Sequence, residues 1–173
     1  MRLAREEDAR AIERLIRISC HGLQSSHYSE GQIIGAIGSV FGVDYQLILD
    51  RTYFLAEAEG RIVGCGGWSK RKTLFGSDAM KTGMDAELNP KRDSARIRAF
   101  FVHPQWARCG IGREILHHCE QPIQLAGFRS IELVATLTGV PFYIGCDYSQ
   151  TERFEVRLKD GLMLPVVRMV KQF

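Results

Sequence analysis

A short basic loop with two glycines leads directly into a helical pattern. Ala107-Arg108-Cys109-Gly110-Ile111-Gly112 follows an apolar run that ends at Pro104. The first amides of a helix have no internal partner and lie at the positive end of the helix dipole. Glycines let a ligand phosphate approach this backbone, and Arg108 and Arg113 add positive charge. The stretch therefore indicates a pyrophosphate site. The alternative is a tight strand-to-helix turn in which glycine only relieves strain.

Two other glycine-loop chemistries do not fit this stretch. A P-loop requires a lysine followed by serine or threonine after its last glycine, and no such pair follows here. A dinucleotide-binding fingerprint requires a third glycine at the position that Ile115 occupies. The loop is thus expected to serve a different phosphate-bearing ligand.

The elements that must position this loop form a mixed α/β pattern. Hydrophobic periodicity and turn residues predict strands at 1–4, 52–58, 61–68, 95–102 and 130–137, helices at 8–18, 30–41 and 110–126, a short helix at 141–146 and a final hairpin over 153–170. Ser29 and Gln32 predict a capping box before the second helix, and Asp160-Gly161 predicts the turn of the hairpin. Consecutive strands favour a mostly antiparallel sheet, and the strand–helix–strand unit from 95 to 137 adds one parallel pair. The long segment 69–91 is predicted to be a surface loop, and residues 1–173 to form a single domain.

Composition limits the classes of function. The 173 residues are 45% hydrophobic and 25% charged, as in ordinary globular domains. A net charge of +3 is too small to favour nucleic-acid binding. The five cysteines form no C-x-x-C pair, and no histidine cluster has metal-ligand spacing, so we expect free thiols and no metal. With no apolar leader or spanning segment visible, a cytoplasmic protein without membrane contact is predicted.

The loop and its flanks together resemble the acetyl-CoA-binding motif of the GNAT superfamily of N-acetyltransferases. The matching residues are Val102-His103-Pro104 and the loop Ala107–Gly112, and Phe142-Tyr143 in "VATLTGVPFYIGCDY" matches a second family motif. The N-terminal "RLAREEDARAIERL" is similar to the family's first strand and helix, so the resemblance covers nearly the whole chain. Two departures stand out. Ala107 replaces the usual arginine or glutamine, and Asp147 stands where a glycine usually closes the short helix.

The resemblance implies a fold and a cofactor site. The fold would be a twisted sheet whose central parallel strands splay apart, with the pantetheine arm of acetyl-CoA in the gap. Phe100, Phe101 and Val102 would contact pantetheine. Thr136 or Thr138 would supply a polar contact. The pyrophosphate would bind the backbone amides of the loop residues, namely Arg108, Cys109, Gly110, Ile111, Gly112 and Arg113.

The implied reaction is direct attack of an amine on the thioester. The Val102 amide would polarise the thioester carbonyl, and Tyr143 would protonate the departing thiolate. A phenol can do this because its ordinary pKa is near 10. The alternative for Tyr143 is a helix tyrosine that only packs in the core.

The general base is left open by the sequence. Many relatives carry a glutamate on the central strand where this chain has Arg98, and an arginine cannot act as a base at neutral pH. The candidates that remain are Glu87 and Asp93 near the loop, Glu30 and His27 in the N-terminal helical region, or a water chain. His103 is expected to be a turn residue. Arg98 itself requires a partner, either an internal acid such as Asp93 or Glu87 or an anionic group on the acceptor.

The acceptor side is the least determined part of the site. Tyr28, Trp68 and Arg98 are the expected substrate contacts, and Gly64-Cys65-Gly66-Gly67-Trp68 forms either the floor of the acceptor pocket or a bulged edge strand. The predicted acceptor is a small-molecule amine, with a protein amine as a variant. A non-catalytic acetyl-CoA sensor is the alternative function, and a homodimer is left open.

Overall fold

The computed structural model describes residues 1–77 and 85–173 and contains a seven-stranded sheet. The strands are β1 Arg2–Leu3, β2 Tyr53–Ala58, β3 Arg61–Ser69, β4 Ala95–Val102, β5 Ser130–Thr136, β6 Ser149–Arg157 and β7 Met163–Gln172. Their order across the sheet is β1-β2-β3-β4-β5-β7-β6, and β4–β5 is the parallel pair in an otherwise antiparallel sheet. The predicted mixed α/β fold class is confirmed.

Helices cover both faces of the sheet. They are α1 Ala9–Gln24, α2 Glu30–Ala36, α3 Tyr45–Leu49, α4 Ile111–Leu125 and α5 Val140–Ile144. Side chains alternate between the two faces of a strand, so each face needs its own cover. Tyr53 and Leu55 of β2 belong to the core beneath α1 and α2, whereas Ala56 belongs to the core beneath α4.

The two parallel strands separate soon after they meet. β4 and β5 pair only at Ala95 with Ile131 and at Arg96 with Glu132. Beyond this point β4 carries an irregularity, because Ala99 has a left-handed φ of 51° and the register with β3 shifts between Cys65 and Gly67. The Ala99 carbonyl accepts a hydrogen bond of 3.1 Å from the Tyr53 hydroxyl. The end of β4 is thereby left without a partner on the β5 side, as the resemblance implied.

Helix boundaries differ from the predictions where turn geometry intervenes. α2 begins at the predicted capping box, in which the Gln32 amide donates to the Ser29 hydroxyl (3.3 Å) and the Ser29 amide to Gln32 (2.9 Å). It ends at Ala36 rather than at residue 41, because Ile37 is extended and Gly38 is left-handed. α1 extends past residue 18 to Gln24, and α3 was not predicted.

The predicted surface loop 69–91 is anchored at its base. The Lys72 amide donates to the Ala86 carbonyl (3.0 Å) and the Leu88 amide to the Lys70 carbonyl (2.7 Å). Arg71 adds a bidentate ion pair with Asp50. The part of the predicted loop from 78 to 84 lies outside the described residues. The final hairpin turns at Asp160-Gly161 as predicted, with Gly161 at φ 86°.

Candidate functional site

A cleft of about 830 Å³ opens where β4 and β5 separate, and we refer to it as the cleft. One side is formed by the loop before α4 and by α5, and the other by the end of α1 and by residues 40–42 and 74–76. The sequence-predicted site residues that line it are Phe100, Phe101, Val102, Arg108, Gly110, Gly112, Arg113, Thr136, Thr138, Tyr143 and Arg98. The structure thus gathers these residues from four separate segments of the chain.

The loop before α4 presents unpaired backbone amides to solvent. Arg108 and Gly110 have left-handed φ values of 63° and 85°, and α4 starts at Ile111. The first amide of this segment that donates to a backbone carbonyl is that of Glu114, which bonds to the Gly110 carbonyl (3.1 Å). Within the described residues, the amides from 108 to 113 make no backbone hydrogen bond. Exposed amides at a helix N-terminus beside two arginines fit an anionic phosphate group.

Glycine is required at Gly110 and at Gly112 for two different structural reasons. A Cβ on Gly110 would meet nothing within 4 Å, so its left-handed conformation is what requires glycine. A Cβ on Gly112 would lie 3.1 Å from Phe142, whose ring packs on Phe100 with centroids 5.8 Å apart. Gly112 therefore allows α5 to pack closely on α4. The Arg113 guanidinium also joins these helices, donating to the Gly145 carbonyl at 2.9 Å.

Asp147 takes the conformation expected of the position that closes the short helix. Its φ is 69°, in the left-handed region that aspartate tolerates better than most residues. The left-handed turn therefore forms with aspartate at this position.

The end of β4 exposes a backbone donor to the gap. The His103 amide donates to the Val63 carbonyl of β3 at 2.8 Å. Because successive backbone amides of a strand point to opposite edges, the Val102 amide faces β5, which it does not pair with. This is the donor that the resemblance assigns to the thioester carbonyl.

The Tyr143 ring lies in the cleft wall. It packs against Phe142 (5.0 Å between centroids), Phe100 (6.1 Å) and Tyr148 (5.6 Å). Burial raises the pKa of its phenol above the ordinary value of 10. No hydrogen bond joins the hydroxyl to any residue of the described ranges. Tyr143 is therefore both part of the core and a protonated donor at the cleft.

The two threonines after β5 have different partners. The Thr136 hydroxyl accepts from the Gly139 amide at 3.3 Å, which fixes the turn into α5. The Thr138 hydroxyl lies 3.3 Å from Nδ1 of His27, across the mouth of the cleft. Thr138 is the one of the two whose hydroxyl faces another segment of the cleft wall.

Arg98 is held by an internal acid, although not by either predicted one. Its guanidinium lies 2.8 Å from an Asp44 carboxylate oxygen and donates to the Gly76 carbonyl at 2.8 Å. Asp85 is 3.9 Å away, and the side chains of Arg98 and Asp44 are 2% and 1% exposed. The buried pair offsets the cost of placing a charge in the sheet.

The two acids predicted to pair with Arg98 have other partners. Glu87 forms an ion pair with Lys70 (2.7 Å), and Asp93 accepts the Asn89 amide within its own turn (2.7 Å). Asp44 could not be identified from the sequence, because only folding brings residues 44 and 98 together. Its one local signal is its position before α3.

Replacing Arg98 with glutamine should lower the free energy of unfolding by about 3 to 5 kcal/mol, because the buried Asp44 carboxylate loses its cation. Arg96→Gln on the same strand is the matched control and should cost clearly less. The cost is smaller because Glu132, the partner of Arg96, keeps an ion pair with Arg168 at 3.3 Å. Urea denaturation of the three proteins measures this. If Arg98→Gln kept wild-type stability and lost activity only toward carboxylate-bearing amines, Arg98 would instead bind the amine substrate.

Tyr28 and Trp68 are not in the cleft wall, contrary to their expected place at the acceptor. Trp68 is buried in the core beneath α4, where its ring meets Phe128 at 6.5 Å. Tyr28 is buried beneath α1 and α2, and its hydroxyl donates to the Pro165 carbonyl (2.7 Å) and accepts from the Leu137 amide (2.8 Å). Tyr28 thus joins the ends of β5 and β7.

Tyr28→Phe should lower the free energy of unfolding by about 1 to 3 kcal/mol, because the Leu137 amide loses its acceptor. Burial raises the pKa of Tyr28 to about 12 from 10. Because burial disfavours the phenolate in the folded state, the folded pKa is the higher one. The stability that comes from keeping the buried phenol neutral is therefore complete below pH 10 and is lost between pH 10 and 12. Denaturation at pH 7 and across that window tests this. A Phe variant with an unchanged alkaline loss of stability would contradict it.

The glycine run of β3 serves packing within the sheet. β3 lies between β2 and β4, so it is not an edge strand, and residues 64–68 are not part of the cleft wall. A Cβ on Gly64 would lie 2.7 Å from Ile111, and one on Gly66 would overlap Phe100 and lie 2.7 Å from Ile115. These glycines therefore allow close packing against α4 and against Phe100 of β4.

Of the base candidates from the sequence, His27 lines the cleft. Glu30 lies on α2 beside His21 (3.4 Å), and Glu87 and Asp93 have the partners given above. The Gln105 amide donates to Nδ1 of His103 at 3.3 Å, which confirms the predicted turn role. Cys109 and Ile111 contribute no side chain to the cleft wall, and their predicted contact is through the backbone.

Among residues 1–77 and 85–173, every helix is too short or too polar to span a bilayer. In the same ranges no group of three or more histidine, cysteine, aspartate or glutamate side chains is arranged to hold a metal ion. All five cysteines are unbridged, as predicted.

Comparison with known proteins agrees with this geometry. A family model described as acetyltransferase (GNAT) domain matches residues 49–150. No curated protein matches the chain. Among solved structures, a GCN5-related N-acetyltransferase from Rhodopseudomonas palustris is similar, with a TM-score of 0.74, 19% identity, and 99% of this chain and 94% of that chain covered.

Two further structures are similar over nearly their full length. PaiA N-acetyltransferase from Thermoplasma acidophilum, solved in complex with coenzyme A, has a TM-score of 0.66 and 14% identity, covering 99% of this chain and 97% of that chain. A ribosomal-protein-alanine N-acetyltransferase from Brucella melitensis has a TM-score of 0.64 and 17% identity, covering 99% and 98%. At these identities the similarity establishes the fold.

Proposed function

Because the chain belongs to the GNAT family of acetyltransferases, we propose that it transfers the acetyl group of acetyl-CoA to a primary amine of a small molecule. One observation carries this proposal: the cleft connects the unpaired amides before α4 with the unpaired end of β4 and with the Tyr143 ring. A pyrophosphate site, a strand edge and a proton donor then lie along one continuous groove.

The residues around the cleft fit the chemical groups of acetyl-CoA. The amides from 108 to 113, with the side chains of Arg108 and Arg113, suit the pyrophosphate. The free edge of β4 suits the amide-bearing pantetheine arm, which can hydrogen-bond to it as an added strand would. Phe100 and Phe142 supply an apolar wall beside that edge.

Acetyl-CoA, when bound, supplies an acetyl group that is activated as a thioester. The Val102 amide then stabilises negative charge on the carbonyl oxygen, which is the largest common contribution to acyl transfer. The Tyr143 hydroxyl holds the proton that the leaving sulfur requires. The aromatic rings around Tyr143 exclude water from this part of the cleft.

The acceptor side of the cleft is mainly apolar, which supports a small molecule with an apolar body. Its lining includes the side chains Leu23, Val40, Phe41, Leu74, Phe75 and Val166. The Phe41 ring packs edge-on against Phe101 (6.1 Å), and Phe75 packs against Phe154 (6.0 Å). Rings held in this way favour an alkyl or aryl group beside the amine over a charged peptide.

An amine panel tests the proposed function. Thiol release from acetyl-CoA is measured with arylalkylamines, short alkylamines, amino acids, polyamines and a peptide with an N-terminal alanine. We expect the arylalkylamines to give the highest kcat/KM. If the peptide were clearly the best acceptor, the enzyme would act on a protein amine, as the similar Brucella melitensis protein does by its name.

The alternative is an acetyl-CoA sensor without catalysis. It is favoured by Arg98, which occupies the strand position of the usual acid and is held by Asp44. Acetyl-CoA binding by calorimetry, together with no thiol release for any amine in the panel, would support the sensor.

A further inference from the structure

We propose that His27 is the general base of the reaction, a proposal that rests on the acetyl-transfer function proposed above. In residues 1–77 and 85–173 the cleft wall carries no aspartate or glutamate side chain, and Arg98 is paired with Asp44, so the base must be of another residue type. His27 lies between α1 and α2 and faces the cleft.

In residues 1–77 and 85–173, His27 is the side chain of the cleft wall with a ring nitrogen that can accept a proton. The other ionisable side chains that line the cleft in the described ranges are Arg98, Arg108, Arg113 and Tyr143. Arginines remain charged at all relevant pH values. Tyr143 remains protonated, because burial raises its pKa. A neutral imidazole, by contrast, has one ring nitrogen that can accept a proton.

Two hydroxyl contacts hold the His27 ring at the mouth of the cleft through one nitrogen, Nδ1. Nδ1 lies 2.8 Å from the Ser26 hydroxyl and 3.3 Å from the Thr138 hydroxyl. When one ring nitrogen is held by such contacts, the other is left to accept a proton. The exposed position of His27 also gives that proton a path to solvent.

His27 and Tyr143 lie on either side of one turn. Thr138, which contacts His27, is followed by Gly139, whose carbonyl accepts from the Tyr143 amide at 3.2 Å. A Cβ on Gly139 would lie 3.5 Å from the Tyr143 ring. The base and the acid are therefore both positioned by the short segment between β5 and α5.

The proton transfers balance with these two residues. An ammonium acceptor gives one proton to Nε2 of His27, and the freed lone pair forms the nitrogen–carbon bond. The carbon–sulfur bond breaks with its electrons on sulfur, which takes the Tyr143 proton. The second proton lost by nitrogen restores Tyr143, and the first leaves His27 for solvent.

The test replaces His27 with asparagine, whose amide can keep the contacts to Ser26 and Thr138 but has no counterpart of Nε2. With an alkylamine at pH 7, kcat/KM should fall by about 100-fold or more, the usual contribution of a general base. The loss should shrink as pH approaches the pKa of the amine, because more acceptor arrives neutral. CoA affinity by calorimetry should not change. His21→Asn on the exposed side of α1 is the matched control.

A second readout does not depend on turnover. In NMR spectra of the wild-type protein, the imidazole resonance of His27 should shift on addition of the amine, while that of His21 should not. Suppose that the wild-type protein acetylates amines. If His27→Asn is then fully active, or loses the same share of activity at every pH, the inference is overturned and the acetyl-transfer function stands. A wild-type protein that acetylates no amine would overturn the proposed function, and an unshifted His27 resonance would then overturn the inference as well.

Discussion

Tyr143→Phe should lower kcat by about 100- to 10,000-fold, because the leaving sulfur loses its proton donor. Affinity for CoA should stay nearly unchanged, since the ring still packs between Phe142 and Tyr148 and only one hydroxyl is removed. The raised pKa keeps the hydroxyl protonated, so the activity that depends on it should persist up to pH 10 and decline only above that value. Steady-state kinetics from pH 6 to 10 and calorimetry with CoA measure these effects.

Tyr148→Phe is the matched control for this prediction. Its ring packs on Tyr143, but its hydroxyl donates to Glu120 at 3.0 Å outside the cleft. Removing that hydroxyl should affect stability more than kcat. If the two variants kept equal turnover, Tyr143 would be a packing residue and the sensor function would gain support.

Gly110→Val and Gly112→Val should each weaken CoA binding by about 100-fold or more, equal to about 3 kcal/mol. Valine cannot readily adopt the φ of 85° at Gly110, so the amides that follow would turn away from the phosphate. At Gly112 the added side chain would meet Phe142 and occupy the approach to the backbone. Titration calorimetry with CoA measures the loss.

Gly161→Val separates backbone strain from lost binding. Gly161 has nearly the same φ, 86°, and equally open surroundings, but it lies in the β6–β7 turn. This variant should lose stability as Gly110→Val does and keep its affinity for CoA. Unchanged CoA affinity in both loop-glycine variants would place the phosphate elsewhere.

Arg108→Ala should weaken CoA binding by about 1 to 2 kcal/mol, the scale of one charge-assisted hydrogen bond.

Much of the local structure was determined by the sequence itself. The capping box at Ser29 and Gln32, the turn at Asp160-Gly161 and the α4 boundary at Gly110 depend on backbone conformations that a few neighbouring residues fix. The loop proposed to bind the cofactor belongs to this class, because helix-terminal amides and glycines act over a single turn. The local conformation of this loop before α4 was therefore predictable before any long-range contact was known.

The tertiary structure decided what depends on distant segments meeting. The partner of Arg98 is Asp44 rather than Glu87 or Asp93, because burial in the sheet selects the acid that folding brings within reach. Trp68 and Tyr28 do not lie at the expected acceptor wall. Trp68 is placed by its packing on Phe128, and Tyr28 by the hydrogen bond of its hydroxyl to the Pro165 carbonyl. His27, one of several candidates in the sequence, reaches the cleft because the end of α1 meets the turn after β5. Local geometry thus followed from short-range sequence, whereas the chemistry of the acceptor side depends on contacts between residues more than 50 positions apart.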